Sequence, residues 1–100
     1  MQNRVLSMLS ITAKAGKIAS GGFTAEQAVK SGKAYLVIAS VDASDNTKKE
    51  FSDMAAYYGI PYREYGSKEE LGSCIGKQFR AVLAVTDEKL AQAVLSKLEL

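Results

Sequence analysis

A lysine and two adjacent glycines share one short loop of the chain, Ala15-Gly16-Lys17-Ile18-Ala19-Ser20-Gly21-Gly22, and a helix-forming stretch follows it. Glycine allows close approach to the backbone, helix N-termini attract anions and lysine adds positive charge, so the combination suits gripping a phosphate-rich partner. Further along, the apolar run Tyr35-Leu36-Val37-Ile38-Ala39 leads into Val41-Asp42-Ala43-Ser44-Asp45-Asn46-Thr47-Lys48-Lys49. This segment adds two lysines and no evident catalytic group, and recognition is favoured over turnover.

Catalytic constellations fail one by one. Histidine is absent, which removes Ser-His-Asp and Cys-His nucleophile activation together with the commonest transition-metal ligand. A single cysteine, Cys74, makes no zinc site and no internal disulfide, and reads as a small packed residue of a reducing compartment. Gly16-Lys17 resembles the end of a phosphate-binding P-loop, but Ile11 stands where the first glycine belongs and Ile18 where Ser or Thr would bind magnesium. No Gly-x-Gly-x-x-Gly fingerprint occurs. Asp42, just beyond a buried strand, has the position of a phosphoacceptor, yet no pair of acids follows Ile18-Ala19-Ser20 to complete such a site. It reads instead as a turn or helix-entry residue bonding nearby amides. Tyr57, Tyr58 and Tyr62 have the residue type of a base-stacking platform, but Tyr58 falls on an apolar stripe and is expected in the core, and Tyr35, Tyr62 and Tyr65 are expected in strands. No enzyme activity, cofactor or metal is expected.

The elements that must position these residues follow from spacing and composition. One hundred residues, 47% hydrophobic, with one proline, fit a single domain over residues 1–100 with its own core. The longest apolar run is far below the roughly 18 residues that cross a bilayer, and the first residues do not read as a signal peptide, so a cytoplasmic protein is expected. Val5, Met8, Leu9 and Thr12 recur at helical spacing from Gln2 to about Lys14, and Gly16 ends that helix. Ile18-Ala19-Ser20 reads as a short strand. Thr24 to Gln27 has capping-box spacing, with Phe23 as its hydrophobic staple, which predicts a helix from Thr24 to about Lys30. Ala34 to Ala39 is a buried strand, and Ser44 or Asp45 caps a helix whose stripe is Phe51, Met54, Ala55 and Tyr58. Tyr62 to Tyr65 is a strand. Ser67 to Glu70 is a second capping box, opening a short helix with Leu71, Cys74 and Ile75 on one face. Ala81 to Val85 is another buried strand, and Thr86-Asp87 caps a last helix carrying Leu90, Val94, Leu95 and Leu98. This alternation predicts an α/β single-domain fold, a three-layer α/β/α sandwich on one sheet of about four strands.

The net charge of +2 does not by itself announce a nucleic-acid partner, but it is unevenly spread. Residues 1–50 carry Arg4, Lys14, Lys17, Lys30, Lys33, Lys48 and Lys49 against Glu26, Asp42, Asp45 and Glu50. Charge alone leaves two readings, a basic patch gathered around the glycine loop or ordinary solvated lysines, the second being the commoner case.

Ala28-Val29-Lys30-Ser31-Gly32-Lys33-Ala34-Tyr35-Leu36-Val37 fixes a register in which nearly the whole chain resembles the kink-turn-binding ribosomal-protein superfamily that contains L7Ae and L30e. Most similar are its short bacterial members of the YlxQ type. Ala15-Gly16-Lys17 with Ser20-Gly21, Asp42-Ala43-Ser44 with Asn46-Thr47, Leu71-Gly72 with Gly76-Lys77, and Ala84-Val85-Thr86-Asp87 carry the same resemblance. It implies a sandwich with a mixed sheet. It also implies that a sharply bent RNA is held by the loop and first turn of the second helix, where a Gly-x-Asn-Glu-x-x-Lys segment contacts guanine edges, while a loop after the fourth helix covers an extruded base. Gly21 matches that glycine, but Phe23, Thr24 and Gln27 stand where asparagine, glutamate and lysine are usual. Base readout is then weaker or different, because an amide and a cationic contact are gone.

The expected RNA-binding set is Lys17, Ser20, Gly21, Gly22, Phe23, Thr24, Gln27, Lys30, Lys33, Lys77, Gln78, Phe79 and Arg80. Within it, the glycines offer amides, Lys17, Lys30 and Lys33 hold phosphates, Thr24 and Gln27 either bond the RNA or cap their own helix, and Arg80 stacks on or bridges a backbone. The expected partner is a structured RNA of ribosomal kind, bound by a monomer, with no membrane and no small-molecule substrate. Two alternatives stand beside it: a protein-interaction adaptor that has lost kink-turn readout, and a regulator phosphorylated on Asp42.

Overall fold

The computed structural model describes residues 3–99. Helix α1 (Arg4–Lys14) opens on Asn3, whose side chain accepts from the Leu6 amide, and buries Val5, Leu9 and Thr12. Of the first predicted helix, Gln2 lies outside the described residues. Strand β1 (Ile18–Ser20) leads into α2 (Gly22–Lys30), then β2 (Leu36–Ala39), α3 (Asp45–Tyr58) and β3 (Tyr62–Glu64). Helix α4 (Lys68–Cys74), strand β4 (Val82–Val85) and helix α5 (Glu88–Leu98) complete the chain order.

The sheet order is β1-β4-β2-β3; β4 runs antiparallel to both β1 and β2, while β2 and β3 are parallel across the α3 crossover. Both central strands are apolar throughout because both faces are covered. Val37, Ala39, Val82 and Ala84 point into one core with Ala25, Val29, Phe51 and Ala55 of α2 and α3. Leu36, Ile38, Leu83 and Val85 alternate to the other face and pack with Leu9, Leu71, Ala91 and Val94 of α1, α4 and α5. The architecture is thus the expected three-layer α/β/α sandwich with a mixed four-stranded sheet.

Local chemistry explains most boundaries. Ser44 accepts from the Thr47 amide to start α3, and Gly59, in the left-handed region at φ 69°, ends it. Ser67 and Glu70 form the full capping box of α4, and Asp87 caps α5. Three expectations fail. Helix α2 starts at Gly22, not Thr24, because Gly21 at φ 93° turns the chain out of β1 early; Thr24 then lies inside the first turn and caps nothing. Phe23 is 76% exposed and staples nothing. The stripe of α3 also closes one residue early, since Phe51 and Ala55 are buried but Tyr58 stays 43% exposed.

Candidate nucleic-acid interface

Four segments meet at one end of the sheet. The Gly21 amide donates to the Val82 carbonyl at 3.0 Å, the Ser40 amide to Ala81 at 2.8 Å, the Tyr65 amide to Ala39 at 2.9 Å and the Val41 amide to Gly66 at 2.7 Å. These bonds bring the start of α2, residues 40–44, the start of α4 and the 77–81 loop side by side. The loop is anchored twice to α4, by the Lys77 amide on the Gly72 carbonyl (2.8 Å) and by the Arg80 amide on the Lys68 carbonyl (3.0 Å).

The α2 entrance differs from every other helix start among the described residues. Helices α1, α3, α4 and α5 are each capped by a side chain, from Asn3, Ser44, Ser67 and Asp87. Helix α2 begins at Gly21 with no side-chain cap and no acidic residue in its first turn. The first N–H groups of a helix have no partner within it, and the macrodipole makes this end positive. An uncapped, glycine-lined entrance therefore presents amides outward to an anion. Gly22 has open space where a Cβ would stand, so packing within the protein does not call for a glycine there.

Phe23, Gln27 and Lys30 follow at helical spacing along the exposed side of α2. The Lys30 ammonium is held at 2.6 Å by Glu26, and this hydrogen bond keeps the lysine protonated above its ordinary range. Thr24 is exposed and Ser20 half-buried beside the entrance. From the second loop, Lys77, Gln78 and the 62% exposed Phe79 face solvent, and Arg80, half-buried, bonds the Phe79 carbonyl. An open cleft of about 530 Å³ lies here, lined by Asp42, Ser67, Lys68, Glu69 and Phe79.

The carboxylates at this end are largely committed to the backbone. Glu70 accepts from the Ser67 amide, and Asp42 accepts from the Lys68 amide at 2.9 Å, the helix-entry role expected of it. Loss of hydration pushes the Asp42 carboxyl up, but the neighbouring Ser40 hydroxyl and the Lys68 amide outweigh this and hold it below its ordinary value. The Lys68 amide is the donor with good geometry; the Ser40 hydroxyl is fully buried and makes no regular hydrogen bond. Glu69 remains as an exposed acid in the cleft wall.

The structure does not bring the whole predicted set together. The Thr86 amide bonds the Lys17 carbonyl (2.9 Å) and the Tyr35 amide bonds Val85 (2.8 Å), which puts Lys17 and the segment after Lys33 at the opposite end of the sheet. Lys30, the last residue of α2, stands about 12 Å along the helix from Gly22 at 1.5 Å per residue and within electrostatic reach of Tyr58, and Lys33 follows beyond the helix. The lysines flanking the glycine loop in sequence are therefore divided, and of the two readings of the charge bias a patch gathered at the loop is the one not seen. Lys48 and Lys49 are also engaged, with Glu64 at 3.7 Å and Asp53 at 2.8 Å. Sequence reasoning missed Val41, exposed at the tip of β2, and the part played by Lys68, whose backbone ties Asp42 to the second loop. An apolar residue next to an aspartate just past a buried strand was the available signal.

Among the described residues no group of three or more His, Cys, Asp or Glu side chains could hold a metal, and no helix is long and apolar enough to cross a membrane. The fold and its sheet end are those of a small α/β/α module with a mixed four-stranded sheet. Residues 3–95 match the model of the ribosomal protein L7Ae/L30e/S12e/Gadd45 family, and the chain belongs to that family. It is 37% identical over 92 residues to the RNA-binding protein YlxQ of Bacillus subtilis, covering 92% of both chains. Among solved structures it is similar to a Bacillus halodurans protein of unknown function, with a TM-score of 0.96 at 32% identity over 99% of this chain and 100% of that one. It is also similar to the 15.5kD RNA binding protein of Giardia lamblia, with a TM-score of 0.81 at 26% identity over 96% and 82%. The family is not an enzymatic one, in keeping with the expectation from the sequence.

Proposed function

We propose that this protein binds structured RNA, and sharply bent RNA in particular, through the sheet end formed by the start of α2 and the 77–80 loop. The uncapped entrance of α2 carries the reading: amides and a positive helix end stand open where four other helices are closed by side chains. Relatives named as RNA-binding proteins, in Bacillus subtilis and in Giardia lamblia, support it. Gly21 and Gly22 approach the phosphate backbone, Ser20, Thr24 and Gln27 offer hydrogen bonds, and Lys30 and Lys77 hold phosphates. Phe23 and Phe79, both exposed, offer faces for an unstacked base, with Gln78 and Arg80 at its rim. Phe23 cannot supply the amide pairing that asparagine gives at this position in the family, so shape and stacking carry more of the recognition than base-edge hydrogen bonds. The protein acts as a cytoplasmic monomer on RNA of ribosomal kind.

The test is a gel-shift comparison of kinked duplex, straight duplex and single-stranded RNA at two salt concentrations. Preferential binding of the kinked duplex, falling steeply with salt, is the expected result. Equal, weak binding of all three would overturn the reading. The exposed Phe23 favours a second reading, a protein adaptor on this fold without kink-turn readout, and salt-insensitive capture of a protein with no RNA shift would select it.

A further inference from the structure

The end of the sheet away from the α2 entrance has its own unassigned cleft. It has a volume of about 380 Å³, and Tyr35, Tyr58, Ile60, Pro61, Glu88 and Leu95 are among its walls, where the end of α3, the start of β2 and the first turns of α5 meet. Three features of this cleft favour a cation. Helix α3 is 14 residues long, ends here at Tyr58 and Gly59, and has no basic residue in its last turn, so its negative dipole end is uncompensated by its own side chains. Glu88 is exposed and makes no ion pair among the described residues. Two tyrosine rings, 42% and 43% exposed at Tyr35 and Tyr58, add π faces that attract cations. Glu88 is the sole charged residue in the lining; Lys33 and Lys89, the nearest cations in sequence, are not part of it, and Lys30, within electrostatic reach of Tyr58, is paired with Glu26.

We propose that this cleft docks an arginine side chain presented by a protein partner, its guanidinium stacked on tyrosine and paired with Glu88. A planar, delocalised cation fits a carboxylate flanked by aromatic faces better than a compact ammonium does. A protein is the source because the apolar surface continues past the cleft: Tyr57, 83% exposed, stands edge-on to Tyr58 with ring centres 5.0 Å apart. Tyrosine and arginine are the residue types that anchor protein interfaces. The cleft lies at the opposite sheet end from the α2 entrance and the 77–80 loop and does not depend on them; of the RNA-binding residues proposed above, Lys30, the last residue of α2, is within electrostatic reach of Tyr58.

The experiment is an amide chemical-shift titration of the full chain with the blocked peptide acetyl-Gly-Arg-Gly-amide and with its neutral citrulline counterpart. Saturable shifts confined to residues around Tyr35, Gly59 and Gln92, seen with arginine only, are expected, with the amides of 21–24 unmoved. Glu88→Gln weakens the arginine peptide by about three- to fivefold, the usual loss of one exposed ionic contact. Tyr58→Leu also weakens it and guards against a fold defect in the first variant, and unchanged thermal unfolding verifies both. Equal response to the citrulline peptide, shifts centred on the α2 entrance, or self-association of this chain over the same residues would each overturn the proposal.

Discussion

Gly72 of α4 lies against the backbone of Gln78: a Cβ on Gly72 would stand 1.5 Å from the Gln78 carbonyl oxygen and 2.4 Å from its carbon. No side chain fits, and the obstacle is main chain, which cannot swing away. The close approach is what lets the Lys77 amide reach the Gly72 carbonyl and holds the 77–80 loop on α4. Gly72→Ala is therefore expected to destabilise the fold by about 1–3 kcal/mol, the usual cost of overpacking, and to displace the loop. Urea denaturation together with amide shifts of residues 77–80 checks this, and an alanine variant of native stability with unshifted loop amides would refute the role.

Gly22 gives the opposite expectation. Open space surrounds its missing Cβ and its backbone is not in the left-handed region, so Gly22→Ala leaves the fold intact and, by restricting the unfolded chain, stabilises it by about 0.4–1 kcal/mol. RNA affinity is expected to fall all the same, because a methyl group intrudes where phosphate approaches the amides. A variant more stable to urea yet weaker in gel shift separates a functional glycine from a structural one. Its neighbour Gly21, at φ 93°, loses stability on substitution by alanine instead.

How far the sequence revealed this arrangement depends on the range of the forces involved. The continuous apolar runs that form β2 and β4, and the caps at Ser67, Asp87 and Ser44 or Asp45, rest on residues close in sequence, and they were legible. The capping box at Thr24 was misread because the same residue types serve a helix that a positive-φ glycine has already started. Lys17 looked adjacent to Gly21, but the extended Ile18–Ser20 lies between them and at about 3.3 Å per residue carries the two to opposite ends of the sheet. The apposition of Gly72 and Gln78 depends on how the loop folds back on α4, and no local pattern announces it.

Asp42 sets a pH dependence. Its folded carboxyl titrates below its ordinary 3.8, so it contributes stability that is fully present above that value and is lost as pH falls through the lower folded value. Asp42→Asn keeps an acceptor for the Lys68 amide but removes the charge. The stability gap between wild type and Asp42→Asn, measured by urea denaturation at neutral pH and near pH 3, should narrow in acid. A gap that is constant across that range would show the carboxylate to be irrelevant to folding.

The places of Lys30, at the far end of α2, and of Lys17, beyond β1, make the sharpest test of the interface. Lys30 shares the exposed side of α2 with Phe23 and Gln27, and its partner Glu26 is a neighbour on the same helix, so an RNA phosphate can take over the ammonium at little cost. Lys30→Ala is expected to weaken all RNAs that bind the edge to a similar degree and to lower the slope of log affinity against log salt by about 1, the signature of one lost phosphate contact. Lys17→Ala, on the far side of β1, should leave both the affinity and the slope of the kinked duplex unchanged. Salt titrations of the two variants read this directly. Equal losses at Lys17 and Lys30 would mean that the RNA reaches past β1 to the other sheet end, which an interface made of α2 and the 77–80 loop does not allow.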